Sequence, residues 1–166
     1  MSPADLVLTQ RGVRFAGRTL PCAVGRGGIT ADKCEGDHAT PAGTHHIVAC
    51  LFRPDRMVAP APWAVPIRPS DLWSDDVADK DYNQLVRAPY GPSHERLRRG
   101  DPLYDMVLIT DWNWPDAVPG RGSAIFMHVW RRPRYPTEGC IAFARADLLW
   151  LVRRIGPGTR LIVPQP

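Results

Sequence analysis

The sequence predicts a mainly β domain with one or two short helices, and three observations carry that reading. Eighteen prolines and 14 glycines in 166 residues cut the chain into short pieces, which excludes a helical bundle and favours strands joined by loops. Short runs rich in β-branched and aromatic residues, such as "DMVLITDWN" (105–113) and "SAIFMHVW" (123–130), have the composition and length of strands. Only "RADLLWLVRRIG" has a clear helical period. There Leu148, Leu151, Val152 and Ile155 fall on one side, and Gly156–Pro157 stop the run.

Taken in order, "LVLTQRGVRFAGRTLPCAVGRGGIT" alternates short β-prone runs with Gly turns, as a meander of hairpins does. "THHIVACLFR" (44–53) reads as a further strand. The stretch from Pro54 to about Tyr104 is rich in Pro and Asp and reads as a long decorated loop, with a short helix in "SHERLRRG". The two strands quoted above follow, then the helix, and "TRLIVP" closes the pattern as a strand. One domain over residues 1–166 is the simplest organisation. A chain of this length buries about 70% of the surface that its unfolded form exposes.

Composition excludes several function classes. The formal net charge is +4, with Lys33 and Lys80 as the only lysines. No block of five or six like charges marks a nucleic-acid arm, so no nucleic-acid partner is expected, and "HERLRRG" reads as a solvated helix face. No run reaches the ~20 apolar residues of a membrane span. The first residues lack a basic region, an apolar core and a small-residue cleavage site, so the expected location is cytoplasmic, or periplasmic if a leader has been removed. Cys22, Cys34, Cys50 and Cys140 are expected to be free thiols, since neither size nor an export signal calls for a disulfide framework. A monomer is expected.

The chemistry points to "YPTEGCIAF" (135–143). A nucleophilic cysteine needs a base, donors for an oxyanion and room for a carbonyl. Gly139 supplies the room, and the N–H groups of Gly139 and Cys140 are candidate oxyanion donors. Of five histidines, His128 is the natural base, because it lies on the strand just before the cysteine loop. The alternative from spacing alone is a core histidine beside a buried cysteine that acts as a small hydrophobe.

At these residues the chain resembles the L,D-transpeptidase catalytic domain (YkuD domain) family. That family carries a strand histidine, a variable loop and then Ser/Thr-x-Gly-Cys before an apolar residue, here His128 and Thr137-Glu138-Gly139-Cys140-Ile141. A Thr-Pro-x-Gly turn lies upstream, here Thr40, Pro41 and Gly43. "LYDMVLITDWN" resembles the strand that ends in an aromatic-Asn pair, here Trp112 and Asn113, and the helix after the cysteine fits as well. The resemblance implies a β-sandwich-like domain and a thioester at Cys140, formed by attack between diaminopimelate and D-alanine of a peptidoglycan stem peptide. His128 would be base and then acid, and Thr137 would shape the loop. No metal or organic cofactor is implied. An amine acceptor would make a transpeptidase. Water would make an L,D-carboxypeptidase of muropeptide recycling. The reading from another class is a non-catalytic muropeptide-binding module with a vestigial cysteine.

Two positions depart from the family pattern. Glu138 stands where a basic residue or His is frequent, so it is expected to point away from the thiol or to meet a substrate ammonium. Ala142 stands where Arg is frequent, which leaves Arg131, Arg132 and Arg134 to bind a substrate carboxylate. Asn113 and Trp112 are further candidates for substrate contact, and Trp112, Trp114 and Trp130 for an aromatic wall. Cys34, His38, His45, His46 and Cys50 have residue types that suit zinc. Their spacing matches no common finger, however, and neighbouring His45 and His46 on a strand face opposite ways.

Overall fold

The computed structural model describes Ser2 and residues 4–166; Met1 and Pro3, at the start of the predicted domain, lie outside the described residues. In chain order the elements are β1 (Leu6–Thr9), β2 (Gly12–Phe15), β3 (Arg18–Leu20), β4 (Cys22–Ala23), β5 (Ile29–Thr30), β6 (Thr40–Pro41), β7 (Gly43–Phe52) and β8 (Ala64–Pro66). They continue with β9 (Asp71–Ser74), β10 (Leu85–Arg87), β11 (His94–Arg96), β12 (Met106–Thr110), β13 (Phe126–Val129), β14 (Ile141–Phe143), α1 (Arg145–Val152) and β15 (Arg160–Val163). The protein is mainly β, as the sequence predicts, with one helix among the described residues.

The principal sheet runs β3-β2-β1-β15-β7-β12-β13-β14-β4, with β8 added alongside β7. Its two ends, β3 and β4, are separated in the chain by Pro21 alone. Three consecutive residues span about 7 Å at most, so the sheet has to curl until its ends nearly meet. The curl creates an inside. Leu8, Phe15, Ile47, Leu108, Met127, Phe143 and Leu161 pack there, and Leu148, Leu151 and Val152 of α1, all 0% exposed, join them. The helix starts directly after β14 and carries Asp147 in its first turn, where a negative charge suits the helix dipole. Truncating Phe143 or Met127 there would cost about 2–5 kcal/mol, the usual range for a large core side chain cut to alanine.

The outer face of the same strands holds a second cluster, including Val107, Ile109, Phe126 and Cys140. It is covered by Ile67, Trp73, Leu97 and Tyr104. Two of these come from a small sheet, β10-β9-β11, and the loop after it. This corrects the sequence reading of residues 54–104 as a decorated loop, and of "HERLRRG" as a helix. His94–Arg96 is a strand paired with β9. Its period is two: Glu95 and Leu97 turn inward while His94, Arg96 and Arg98 alternate with them. Strands of three or four residues between Pro and Asp turns are too short for a pattern to stand out.

Candidate active site

β13 and β14 run parallel, with Met127 opposite Ile141 and His128 opposite Ala142. Cys140, one residue before β14, therefore stands beside Phe126. Side chains alternate along a strand, so Cys140 and Ala142 share the outer face with Phe126 and His128. His128 and Cys140 are diagonal neighbours, one strand apart and two residues along. Both line a single cavity of about 660 Å³.

The cysteine loop is held from several sides. Gly139 has φ +136°, and a Cβ there would stand 3.0 Å from the Ala39 carbonyl oxygen, so only glycine fits without movement. Thr40 Oγ1, fully buried, donates to the Gly139 carbonyl at 2.8 Å and accepts from Gly25 N–H at 2.9 Å. The upstream Thr-Pro turn is thereby a strut of the cysteine loop. Thr137 Oγ1 donates to the Cys140 carbonyl at 2.6 Å and accepts the Gly139 N–H at 3.1 Å. The Gly139 N–H is thus engaged, which departs from its expected role as an oxyanion donor. Cys140 N–H has no acceptor among the described residues, and it is the better placed of the two.

His128 Nδ1 lies 2.8 Å from the Val129 carbonyl oxygen. A carbonyl can only accept, so Nδ1 carries the proton and Nε2 carries the lone pair. The orienting group is the next residue of its own strand. Burial lowers the His128 pKa to about 4, against the opposing pull of the Val129 carbonyl. Burial likewise pushes the Cys140 thiol up to about 12, with the charge of Glu95 acting in the same direction. The resting pair is therefore a neutral thiol and a neutral imidazole. The thiol donates to the Ala124 carbonyl at 3.1 Å and receives the Phe126 N–H at 3.4 Å.

That acceptor is itself positioned by a residue with no signal in the sequence. Asn83, 2% exposed, accepts from the Ala124 N–H and from Trp73 Nε1, each at 2.9 Å, and its amide donates to the Trp112 and Asn113 carbonyls. It ties the small sheet, the loop after β12 and the segment under the thiol together. Ala124 has φ +53°, a conformation that costs a non-glycine residue on the order of 1 kcal/mol and that these bonds hold.

The cavity wall contains further residues that sequence reasoning did not single out: Glu35, Asp75, Glu95, Arg99 and Tyr104. Tyr104 meets the His128 ring edge-on at 5.3 Å, donates to Glu95 Oε2 at 2.6 Å, and has the Arg99 guanidinium over its face at 5.0 Å. Glu35 Oε2 accepts from Tyr82 Oη at 2.5 Å and from Ser123 Oγ at 2.8 Å. Alternation along β11 was the one available signal for Glu95; the others lie in irregular segments.

Of the residues expected to contact substrate, Arg131 and Glu138 line the cavity. Glu138 pairs with Arg26 at 3.1 Å and with His38 Nδ1. Arg132 lies over the Tyr135 ring at 4.2 Å, and Arg134 reaches the Arg11 carbonyl at 3.5 Å; neither is part of the cavity wall. Asn113 staples its own loop through Val118 and Gly122, and Trp112 packs edge-on against His45 at 5.6 Å. Neither lines the cavity, and neither do Trp114 and Trp130. Tyr104 and Tyr135 are the aromatic rings of the wall instead.

The residues with zinc-like types do not converge. Cys50 is buried in the inner core and Cys34 is exposed. His45 is buried against the Pro41 carbonyl, while His46 turns the other way to Asp111 at 2.8 Å. All four cysteines are free. No helix among the described residues is long and apolar enough to cross a membrane.

The family model of the L,D-transpeptidase catalytic domain matches residues 4–163, nearly the whole chain. No curated protein and no solved structure matches it. With the family's histidine strand and Thr-x-Gly-Cys loop meeting at one cavity and the Thr-Pro turn bracing that loop, the chain belongs to the L,D-transpeptidase catalytic domain (YkuD) family.

Proposed function

We propose that the protein is a cysteine acyl-transferring enzyme acting on peptidoglycan stem peptides. The observation that carries this is the placement of His128 and Cys140 on one sheet face, lining one cavity, with the imidazole lone pair on Nε2. Cys140 Sγ attacks the carbonyl between the L-centre of diaminopimelate and D-alanine while His128 Nε2 takes the thiol proton. The Cys140 N–H faces the oxyanion. Collapse breaks the C–N bond, His128 returns the proton to the leaving amine of D-alanine, and a thioester remains on Cys140. Burial disfavours the charged form of each partner, which favours proton transfer in step with attack.

An amine acceptor would resolve the thioester as an L,D-transpeptidase and water as an L,D-carboxypeptidase. The competing reading is a non-catalytic muropeptide-binding module.

Intact-protein mass spectrometry after mixing with a disaccharide-tetrapeptide tests these together. An adduct at Cys140 or released D-alanine, absent in Cys140→Ala, is the expected result. A tripeptide product then assigns water and a cross-linked dimer assigns an amine. Binding without adduct or release, in wild type and variant alike, would overturn catalysis in favour of the binding module.

A further inference from the structure

A second cavity, of about 520 Å³, lies on the other side of the small sheet from the catalytic one. β9 stands between β10 and β11, with Trp73 opposite Glu95 and Leu72 opposite Arg96. Trp73 belongs to the cluster over the catalytic strands, and Glu95 lines the catalytic cavity. Alternation turns Leu72, His94 and Arg96 to the far face, and all three line the second cavity. β11 thus shows one side to each cavity.

The wall has an apolar part and a polar part. Leu72, Pro69, Pro89 and the Tyr90 ring are the first. The Tyr90 hydroxyl is tied down at Asp79 and Ser74, 2.9 and 2.8 Å away, and the ring meets His94 edge-on at 5.8 Å. Arg96, Arg98 and His94 are the second. Arg87, Arg98 and Arg99 nearby each pair with a carboxylate, whereas the exposed Arg96 pairs with none among the described residues. Arg98 reaches Asp55 at 3.3 Å, but that carboxylate already takes both prongs of Arg53, at 2.9 and 2.8 Å. The one carboxylate of the wall, Asp71, is buried, accepts the Arg68 N–H at 2.8 Å and faces Arg87 Nε at 3.6 Å. The cavity is left with positive charge that its own residues do not answer. His94 Nδ1 lies 2.7 Å from the Pro92 carbonyl oxygen and so carries a proton, which leaves Nε2 without a partner among the described residues.

An apolar wall with a few polar groups, at a volume of this order, is the usual form of a small-molecule site. Guanidinium forks match the oxygens of phosphates and carboxylates. A phosphate suits this wall better, because its oxygens point in several directions while Arg96, Arg98 and His94 come from separate positions on β11 and the segment after it. We propose that the second cavity binds a small organic phosphate, with the phosphate at Arg96 and Arg98 and the organic part against Leu72, Pro89 and Tyr90. The acyl-enzyme reading uses the opposite side of β11, so the two stand or fall separately.

Titration with phenyl phosphate, followed by the amide chemical shifts of isotope-labelled wild type, tests this. Saturable shifts centred on residues 70–72 and 88–98 are expected, with a dissociation constant of about 1 mM or tighter, within reach of a ligand of about ten heavy atoms. Benzoate and phenol should each bind at least about threefold more weakly, since one carries less charge and the other none. Arg96→Gln changes an exposed side chain and should weaken phenyl phosphate at least about tenfold, the worth of a charge-assisted hydrogen bond. The wild-type shifts stand whether or not that variant folds. No saturable shift in wild type, shifts centred on the catalytic residues 124–140, or undiminished binding by folded Arg96→Gln would each overturn the proposal. Benzoate binding as tightly as phenyl phosphate would overturn the assignment to phosphate. None of these results bears on whether Cys140 forms a thioester.

Discussion

The two faces of β12, β13 and β14 are built from alternate residues of the same short strands, yet they are made for opposite purposes. The inner face offers Leu108, Met127, Ile141 and Phe143 to the core that α1 closes. The outer face offers Val107 and Phe126 to the apolar cluster beneath the small sheet, and His128 and Cys140 to the cavity beside it. The inner residues are apolar and nearly sealed, so any loss there is a packing loss. The outer face buries an imidazole, a thiol and, across the cavity, Glu95, whose protonation equilibria are all displaced by that burial. Burial by itself is therefore no mark of function. Cys50 is 0% exposed against 9% for Cys140, and its thiol is also pushed up to about 12 by burial. What separates the two is the company: Cys50 has core apolar groups and Cys140 has a histidine, a glycine and an open volume.

One pair of substitutions should break this symmetry most sharply. His128→Ala on the outer face is expected to slow acylation of Cys140 by about 10²–10⁴-fold, the usual worth of a general base, with a modest effect on unfolding. Phe143→Ala on the inner face, one strand away, should cost about 3–5 kcal/mol in a denaturant titration while the remaining folded protein acylates at close to the normal rate. Measuring both quantities on both variants checks the division. An inner-face variant that kept its stability but lost its chemistry would contradict it.

A pH titration of stability sharpens the same contrast. His128 titrates near 4 when folded and near 6.5 when unfolded. Between those values the unfolded chain binds more protons, so the contribution of His128 is fully present above about pH 6.5 and is lost as the pH falls toward 4. Its ceiling is on the order of 3 kcal/mol. Burial displaces His45 in the same direction. Thermal unfolding of wild type against His128→Gln between pH 7 and pH 4 should therefore converge as the pH drops. Parallel curves would show that the imidazole is not held neutral by burial.

The smallest effect concerns the support beneath the thiol. Asn83→Ala removes the bonds to Ala124, Trp73 and the Trp112–Asn113 turn, and should cost about 1–3 kcal/mol. Because Ala124 carries the carbonyl that the thiol meets, Cys140 acylation should also slow, by less than for His128→Ala. A stability loss with an unchanged acylation rate would make Asn83 purely structural.

The parts of the molecule that were legible in the sequence are those whose physics is local. The strand at 126–129, the helix at 145–152 and its stop at Gly156 follow from period and turn residues within one segment. The Cys140 loop could be read because glycine, threonine and cysteine have separate reasons for standing together. Asn83 and Glu95 were not legible, because their roles come from partners far along the chain: Ala124 and Trp73 for one, Tyr104 and the cavity for the other. Arg132 and Arg134 misled for the converse reason. They stand near Cys140 in sequence, but strand direction and a left-handed turn at Arg134 (φ +56°) carry them away from it.

The place of β15 has a consequence for synthesis. β15 lies between β1 and β7, parallel to the first and antiparallel to the second, so the opening hairpins join the rest of the sheet through a strand that the ribosome makes after every other. Until residues 160–163 emerge, β1 has no partner on that side and the inner core lacks Leu161 and Val163. The β4–β14 pairing can link the opening segment to the catalytic strands earlier, but the gap between β1 and β7 is filled only when this last strand is delivered.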